Sequence, residues 1–223
     1  MKTRTILTAA AAPAALAAVL LGTAGHASAA VKPPAPATSA YFWQPNGNAL
    51  GGPQQMPGGT VSFNGKTKLA TVTEKLNNTN IFGTTITITG TLTNKDSLAT
   101  PPVGGSSQTA TMRVYFQGAG AGTNANSPNG YEAQQWWADA KADIQPDGTF
   151  TLTAKVGPAA ADDPAATNWV DWNGQPASAN PDLFQAAASH AQSLGLSFGG
   201  DSFFEDGVTG SGSLQNVSIQ YGS

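Results

Sequence analysis

The sequence predicts an all-β sandwich that carries one short helix near its C-terminus. In residues 84–93 threonine alternates with mostly apolar residues, and a period of two over that length is typical of a half-buried β-strand. Shorter alternating segments recur along the chain, separated by runs rich in Gly, Pro and Asn, which is the punctuation of an all-β domain. Helical spacing is convincing only in residues 182–193.

The N-terminal segment is predicted to be a secretory signal peptide. Lys2 and Arg4 form a positive n-region, an uncharged Ala/Leu/Val-rich run follows, and Ala27-Ser28-Ala29 has the small-x-small pattern of a cleavage site. Pro13 interrupts the apolar run, which is also shorter than the roughly 20 residues of a membrane span. We therefore expect a secreted protein without membrane insertion. The predicted division of the chain is a signal peptide (1–29), a Pro/Ala-rich leader (30–40) and a single domain (41–223).

The strands before the helix are predicted from alternation and from the turn residues between them. In the clearest strand, Ile86, Ile88 and Leu92 share one face and threonines occupy the other. The segment with Trp136 and Trp137 is read as a strand that forms a hairpin with the strand after it, through Pro146-Asp147-Gly148. The predicted strands are 60–64, 69–74, 84–93, 108–117, 132–142 and 149–156, and the aromatic trio 41–43 makes the first contact with the fold.

The C-terminal part of the chain combines a long loop, the helix and two strands. Residues 157–180 are loop-like and carry Trp169 and Trp172, and a loop of this length in a compact domain is usually functional or folded on itself. Asn180 is a candidate cap for the helix and Pro181 takes its favoured first position. A short strand over 196–200 and a closing strand over 211–221 complete the prediction.

Composition excludes several classes of function. The chain has a net charge of −3 and no Cys. Without a basic patch it is a poor binder of nucleic acid or anionic membranes. Without Cys it has no disulfides, no thiol catalysis and no Cys-zinc or iron–sulfur chemistry. Charged residues make up 10% of the chain, against roughly 25% in a typical globular domain, so Thr, Ser, Asn and Gln must keep the surface soluble.

The C-terminal third resembles the galactose-binding-like jelly-roll domains of secreted carbohydrate-binding modules. The resemblance is carried by the Trp169–Gly174 loop, the helix, the Leu194–Gly200 strand, the Phe203–Val208 segment with its Gly turn, and the closing strand. It implies a jelly-roll sandwich in which loops at one rim hold a sugar. The resemblance is to a fold and not to a catalytic motif. Fold-level similarity does not by itself transfer activity.

Tryptophan with neighbouring amides and carboxylates is the combination that a sugar site requires, since indole rings pack on sugar faces and polar side chains bond the hydroxyls. Trp169 and Trp172 lie in a polar loop that offers this combination. The alternative is that one or both of these indoles fill the end of the sandwich as core residues. Because adjacent strand residues point to opposite faces, at most one of Trp136 and Trp137 is expected to contact ligand, and Trp43 is expected to pack. The candidate ligand-binding residues are Trp136, Trp137, Trp169, Asp171, Trp172 and Asn173, with Asn168 beside them.

Catalysis and metal binding have weaker support in the sequence. His26 would leave with the signal peptide, which makes His190 the remaining histidine, and no G-x-S-x-G motif occurs. A glycosidase would need a pair of carboxylates. Carboxylates in loops also suit a structural calcium ion. The alternative is that they only accept hydrogen bonds from the backbone of their own turns. The candidate proton donors are Glu132 and Glu205, their candidate partners Asp139, Asp143 and Asp171, and the candidate calcium ligands Asp162, Asp163, Asp201, Glu205 and Asp206.

The sequence therefore predicts a secreted, non-catalytic protein that binds a polysaccharide or a cell-envelope glycan. One alternative is a small extracellular glycan hydrolase with a carboxylate pair. Another is a structural or surface-interaction protein without a small ligand, which predicts a filled interior and five buried indoles. Exposure of the indoles is the observation that separates these hypotheses most directly.

Overall fold

The computed structural model describes residues 39–43, 50, 54–55, 60–64, 68–100, 110–119, 134–157, 167–200 and 207–222. They form two antiparallel sheets packed face to face with one short α-helix, which confirms the predicted all-β sandwich. The predicted signal peptide lies outside the described residues. The strands are β1 (Ser39–Trp43), β2 (Gln54–Gln55), β3 (Val61–Phe63), β4 (Lys68–Thr79), β5 (Thr85–Leu92), β6 (Thr111–Gly118), β7 (Gln135–Lys141), β8 (Thr149–Lys155), β9 (Trp169–Asp171), β10 (Ala191–Gly199) and β11 (Gly212–Gly222), and the helix is α1 (Pro181–Ser189).

The larger sheet has the strand order β2-β1-β4-β10-β6-β7-β9, and the smaller has β3-β11-β5-β8. Every neighbouring pair of strands is antiparallel. The chain changes sheets repeatedly, as a jelly-roll connectivity requires. The last two residues of the leader predicted over 30–40, Ser39 and Ala40, already belong to β1.

The smaller sheet follows from the alternation in the sequence. In β5 and β8 the apolar residues are buried, and Ile86 and Ile88 lie opposite Ala154 and Leu152. The threonines between them face solvent. Burial of one Ile or Leu side chain stabilises the fold by roughly 1.5–3 kcal/mol, so a one-residue shift in register would lose several such contributions at once.

The larger sheet is buried on both faces near its centre. In β6 the residues from Met112 to Phe116 are all buried. Met112, Val114 and Phe116 point into the core between the sheets, while Arg113 and Tyr115 point to the opposite face. We call this opposite face the outer face of the larger sheet.

The predicted hairpin between the Trp136-Trp137 strand and its successor is wrong. The turn itself forms, because the Gln145 N–H bonds the Thr149 carbonyl at 2.8 Å and Gly148 has a φ of 85°. However, β7 pairs with β6 and β9 in the larger sheet, whereas β8 pairs with β5 in the smaller one. The turn therefore joins strands of different sheets.

The helix is shorter than predicted and the strand after it is longer. α1 ends at Ser189 instead of Ser193, and β10 begins at Ala191 instead of Leu196. The reason is tertiary: from Ala191 onward the backbone pairs with β4 on one side and β6 on the other. Pro181 takes the first helical position as predicted, but the Asn180 side chain makes no capping hydrogen bond. Within the described residues, no helix is long and apolar enough to cross a membrane.

Candidate functional site

Trp136 and Trp137 point to opposite faces of the larger sheet, as the alternation of a strand predicts. Trp136 packs edge-on against Phe184 of the helix, with ring centroids 5.0 Å apart, and belongs to the core. Trp137 packs against Tyr115 on the outer face, at 5.1 Å. Both indoles are fully buried. Neither indole therefore presents its ring to solvent.

Trp169 is a core residue and not a ligand platform, so its assignment to the sugar site is corrected. Its indole lies 5.2 Å from the ring of Phe116 and 5.9 Å from that of Phe184. Its Nε1–H donates to the backbone carbonyl of Lys155 at 2.9 Å. This indole closes the sandwich end and links β9 of the larger sheet to β8 of the smaller one, which is the alternative that the sequence left open.

Trp172 is the one large hydrophobic side chain that is exposed among the described residues, with 39% of its surface accessible. Its ring packs against Trp137 with centroids 6.0 Å apart and an interplanar angle of 48°. Tyr115, Trp137 and Trp172 thus form a continuous series of rings that runs from the buried part of the outer face to solvent. We call these three residues the aromatic row.

Asp171 builds the turn that holds Trp172 at the end of this row. Its Oδ1 accepts the backbone N–H groups of Asn173 and Gln175 at 2.9 and 2.8 Å. The Gly174 N–H closes the turn on the Asp171 carbonyl at 2.9 Å, and Gly174 has a φ of 72° that suits glycine. Asp171 is 7% exposed, and its Oδ1 is already engaged by the N–H groups of Asn173 and Gln175. It positions the site and is poorly placed as a sugar ligand or as half of a catalytic pair.

Exposed amide side chains occur on the same chain segment as the exposed indole. Asn168, Asn173 and Gln175 are all solvent-exposed on the chain segment that carries Trp172. The Asn168 carbonyl accepts the Asp139 N–H at 2.8 Å, which fixes this segment to the end of β7. Asp139 itself is exposed. An aromatic ring flanked by amides and a carboxylate offers both apolar contact and hydrogen-bonding groups.

Of the carboxylates proposed for catalysis, the structure describes Asp139, Asp143 and Asp171 but neither candidate proton donor. Asp143 is exposed and accepts a bond from Gln145 at 3.1 Å, and Asp171 is occupied by its turn. His190 is exposed at the end of α1, with Nδ1 3.1 Å from the Ala186 carbonyl. The candidates Glu132, Glu205, Asp162, Asp163, Asp201 and Asp206 lie outside the described residues, as does the side chain of Trp43.

The part of the chain that the structure describes forms no metal site. Its His, Asp and Glu residues make no group of three or more that is suited to a metal ion. The calcium prediction rests on carboxylates that are not described and therefore stays a prediction.

Two residues of structural interest were missed by sequence reasoning. Tyr115 belongs to the aromatic row because β6 and β7 pair with Tyr115 opposite Trp137, and a cross-strand register is not visible in one sequence. Glu74 is buried in the core. A signal for it existed, since Val72, Glu74 and Leu76 occupy the same parity in one alternating segment.

Comparison with known proteins identifies no relatives. No protein-family model matches the chain, no curated protein is significantly similar to it, and no solved structure matches its fold significantly. The likeness of the C-terminal third to galactose-binding-like domains therefore stays a prediction, and functional inference rests on the geometry of the site.

Proposed function

We propose that this protein is a secreted, non-catalytic binder of a polysaccharide or cell-envelope glycan, with Trp172 as its principal sugar contact. The observation that carries the proposal is the exposure of Trp172 beside a buried aromatic partner and several exposed amides. The exposed part of the indole offers a ligand an apolar ring face, and the ring's other contacts keep it in place. The flanking groups make a hydroxyl-rich ligand the best chemical match.

The aromatic row supports this function through rigidity. Trp137 is buried and packs beneath Trp172, while the Asp171 turn restrains the backbone on both sides of it. A ring that is already held in place loses little conformational entropy when a ligand binds. The apolar face of a pyranose would stack on this ring, and the exposed amides of Asn168, Asn173 and Gln175 would bond its hydroxyls.

The alternatives have less support from the described residues. A surface-interaction protein without a small ligand predicts that every indole is buried, and Trp172 departs from that prediction. A glycan hydrolase would depend on Glu132 or Glu205, for which no geometry is described. Turnover of a polymeric sugar that is lost in Glu132→Gln or Glu205→Gln would favour the hydrolase over the binding protein.

The first prediction is that Trp172→Ala abolishes glycan binding while leaving the fold intact. Binding is measured by retardation in gels that contain soluble polysaccharides, with tryptophan fluorescence as a second readout. Trp172→Phe, which keeps an apolar ring, should retain weakened binding. Thr153→Ala on the exposed face of the smaller sheet is the matched control and should bind as wild type.

The proposal fails if the wild-type protein binds no glycan in a broad panel. It also fails if Trp172→Ala binds as tightly as Thr153→Ala, because the exposed indole would then lie outside the site. Far-UV circular dichroism of each variant separates lost binding from lost folding.

A further inference from the structure

A carboxyl group is buried between the two sheets, away from the proposed glycan site. Glu74 lies on the core-facing side of β4, directly opposite Leu194 of β10, and has the same parity as Val72 and Leu76. It is 2% exposed, less than several of the apolar side chains around it. A charged carboxylate in such surroundings carries a large desolvation cost unless it is paired.

The group that meets Glu74 comes from the opposite sheet. The hydroxyl of Tyr221, on β11, donates a hydrogen bond to Glu74 Oε1. The other carboxyl oxygen, Oε2, is buried and makes no hydrogen bond. The pair therefore links β4 of the larger sheet to β11 of the smaller one through a single hydrogen bond, with half of the carboxyl group unsatisfied.

No cation on the neighbouring described strands offsets a charge at Glu74. The segments β1, β5, β10 and β11 contain no Lys, Arg, His, Asp or Glu. On β4 itself, Lys75 is exposed on the opposite face, and Lys68 lies at the far end of the strand. Asp182 and His190 of the adjacent helix are both exposed. Tyr221 is thus the titratable side chain that faces the carboxyl group across the core.

Burial favours the neutral carboxyl group. Desolvation raises the pKa of Glu74 from 4.5 to about 7, and the hydrogen bond from Tyr221 only partly opposes this. Burial and the same contact raise the pKa of Tyr221 well above its ordinary value, so the phenol stays protonated. A protonated Glu74 fits the core. An ionised Glu74 would need hydration, either from water that enters the core or from an outward movement of the β11 end that carries Tyr221.

We propose that Glu74 and Tyr221 form a proton-controlled contact between the two sheets, which is closed in mildly acidic surroundings and loosened in alkaline ones. The sign follows from linkage: a folded state that binds the proton more tightly than the unfolded chain is most stable below the unfolded pKa. The stability that the protonated Glu74 contributes is lost as the pH rises from about 4.5 to about 7, and it stays lost above that. The contact is separate from the Trp172 site and does not depend on glycan binding.

The direct test is a carbon-13 NMR titration of the glutamate carboxyl groups in the full chain. The sequence contains three glutamates, Glu74, Glu132 and Glu205, so the spectrum is simple, and Glu74→Gln assigns the relevant signal. We expect the Glu74 carboxyl to titrate near pH 7. Titration near the ordinary value of 4.5 would overturn the proposal.

Urea unfolding at pH 5 and pH 8 tests the consequence for stability. Relative to wild type, Glu74→Gln should lower the unfolding equilibrium constant at pH 8 about tenfold or more, with a much smaller effect at pH 5. Asp96→Asn is the control, because it removes one negative charge from a side chain that is 93% exposed. An equal effect of Glu74→Gln at both pH values would contradict the proposal.

A second variant keeps the test decisive if Glu74→Gln does not fold. Tyr221→Phe removes the hydrogen bond that favours the ionised carboxylate, so the Glu74 titration should move to a still higher pH. An unchanged or lower midpoint in Tyr221→Phe would show that the phenol does not control the proton on Glu74.

Discussion

Asp171 and Trp172 are adjacent in the chain, and the first determines how the second is presented. The buried carboxylate of Asp171 accepts two backbone N–H groups of the turn, and Trp172 then projects from that turn onto Trp137. One residue is buried and engaged, and its neighbour is exposed. The functional difference between them lies in burial and hydrogen bonding, since both are chemically suited to bind a sugar.

The second prediction is that Asp171→Ala weakens both the turn and glycan binding. Two backbone donors would lose their acceptor in a partly buried position, which costs about 1–3 kcal/mol of unfolding free energy. The mobile Trp172 would then bind glycan more weakly than in wild type. Urea unfolding and gel retardation measure the two effects, and Thr153→Ala is the control because its side chain is exposed on the smaller sheet, away from the proposed site. Stability equal to that of wild type would contradict the assigned role of Asp171.

At the residue level, the sequence predicts which kinds of side chain form the site better than it predicts which of them are accessible. It predicts the opposite orientations of Trp136 and Trp137, because strand alternation is a local property. It does not show that β9 and Phe184 bury Trp169 while Trp172 lies beyond the end of the strand. That outcome depends on contacts between segments far apart in the chain.

At the level of elements, the helix packs on the larger sheet through an unusually close approach. Phe184 contacts the rings of Phe82, Phe116, Trp136 and Trp169. At the end of β6, a Cβ placed on Gly118 would lie 2.5 Å from the Ala187 Cα and 2.6 Å from its carbonyl oxygen. The helix therefore requires glycine at this position in the strand.

The third prediction is that Gly118→Ala displaces the helix and destabilises the fold. The added methyl group would overlap backbone atoms of Ala187, and overpacking of this kind costs about 1–3 kcal/mol. Gly157→Ala is the matched control, because a Cβ at that position would meet nothing within 4 Å. Urea unfolding of the two variants gives the comparison. Equal stabilities would argue against close packing of α1 on β6.

The same elements explain which parts of the fold the sequence could predict. The alternation in β5, β6, β8 and β11 identifies strands because one face of each is apolar. Residues 191–193 continue the helical pattern, yet they pair between β4 and β6, so tertiary pairing decides their structure. The turn at residues 146–148 is equally recognisable, but a turn signal does not specify whether the strands that it joins belong to one sheet.

At the scale of the whole molecule, the two sheets have different outer faces. The smaller sheet presents exposed threonines, whereas the centre of the larger sheet is buried on both sides and carries the aromatic row on its outer face. The proposed glycan contact and the Glu74–Tyr221 contact therefore lie on opposite sides of the larger sheet. We accordingly expect Glu74→Gln to bind glycan like wild type at a pH where both are folded.

The most direct test of the proposed function is oxidative labelling of the indoles with and without bound glycan, read out by mass spectrometry for each tryptophan. Without ligand, Trp172 should react much faster than Trp136, Trp137 and Trp169, because these three are buried. A glycan that retards the protein in the gel should strongly slow the oxidation of Trp172. It should leave the oxidation rates of the other three tryptophans unchanged. Binding of a glycan without protection of Trp172 would contradict the account.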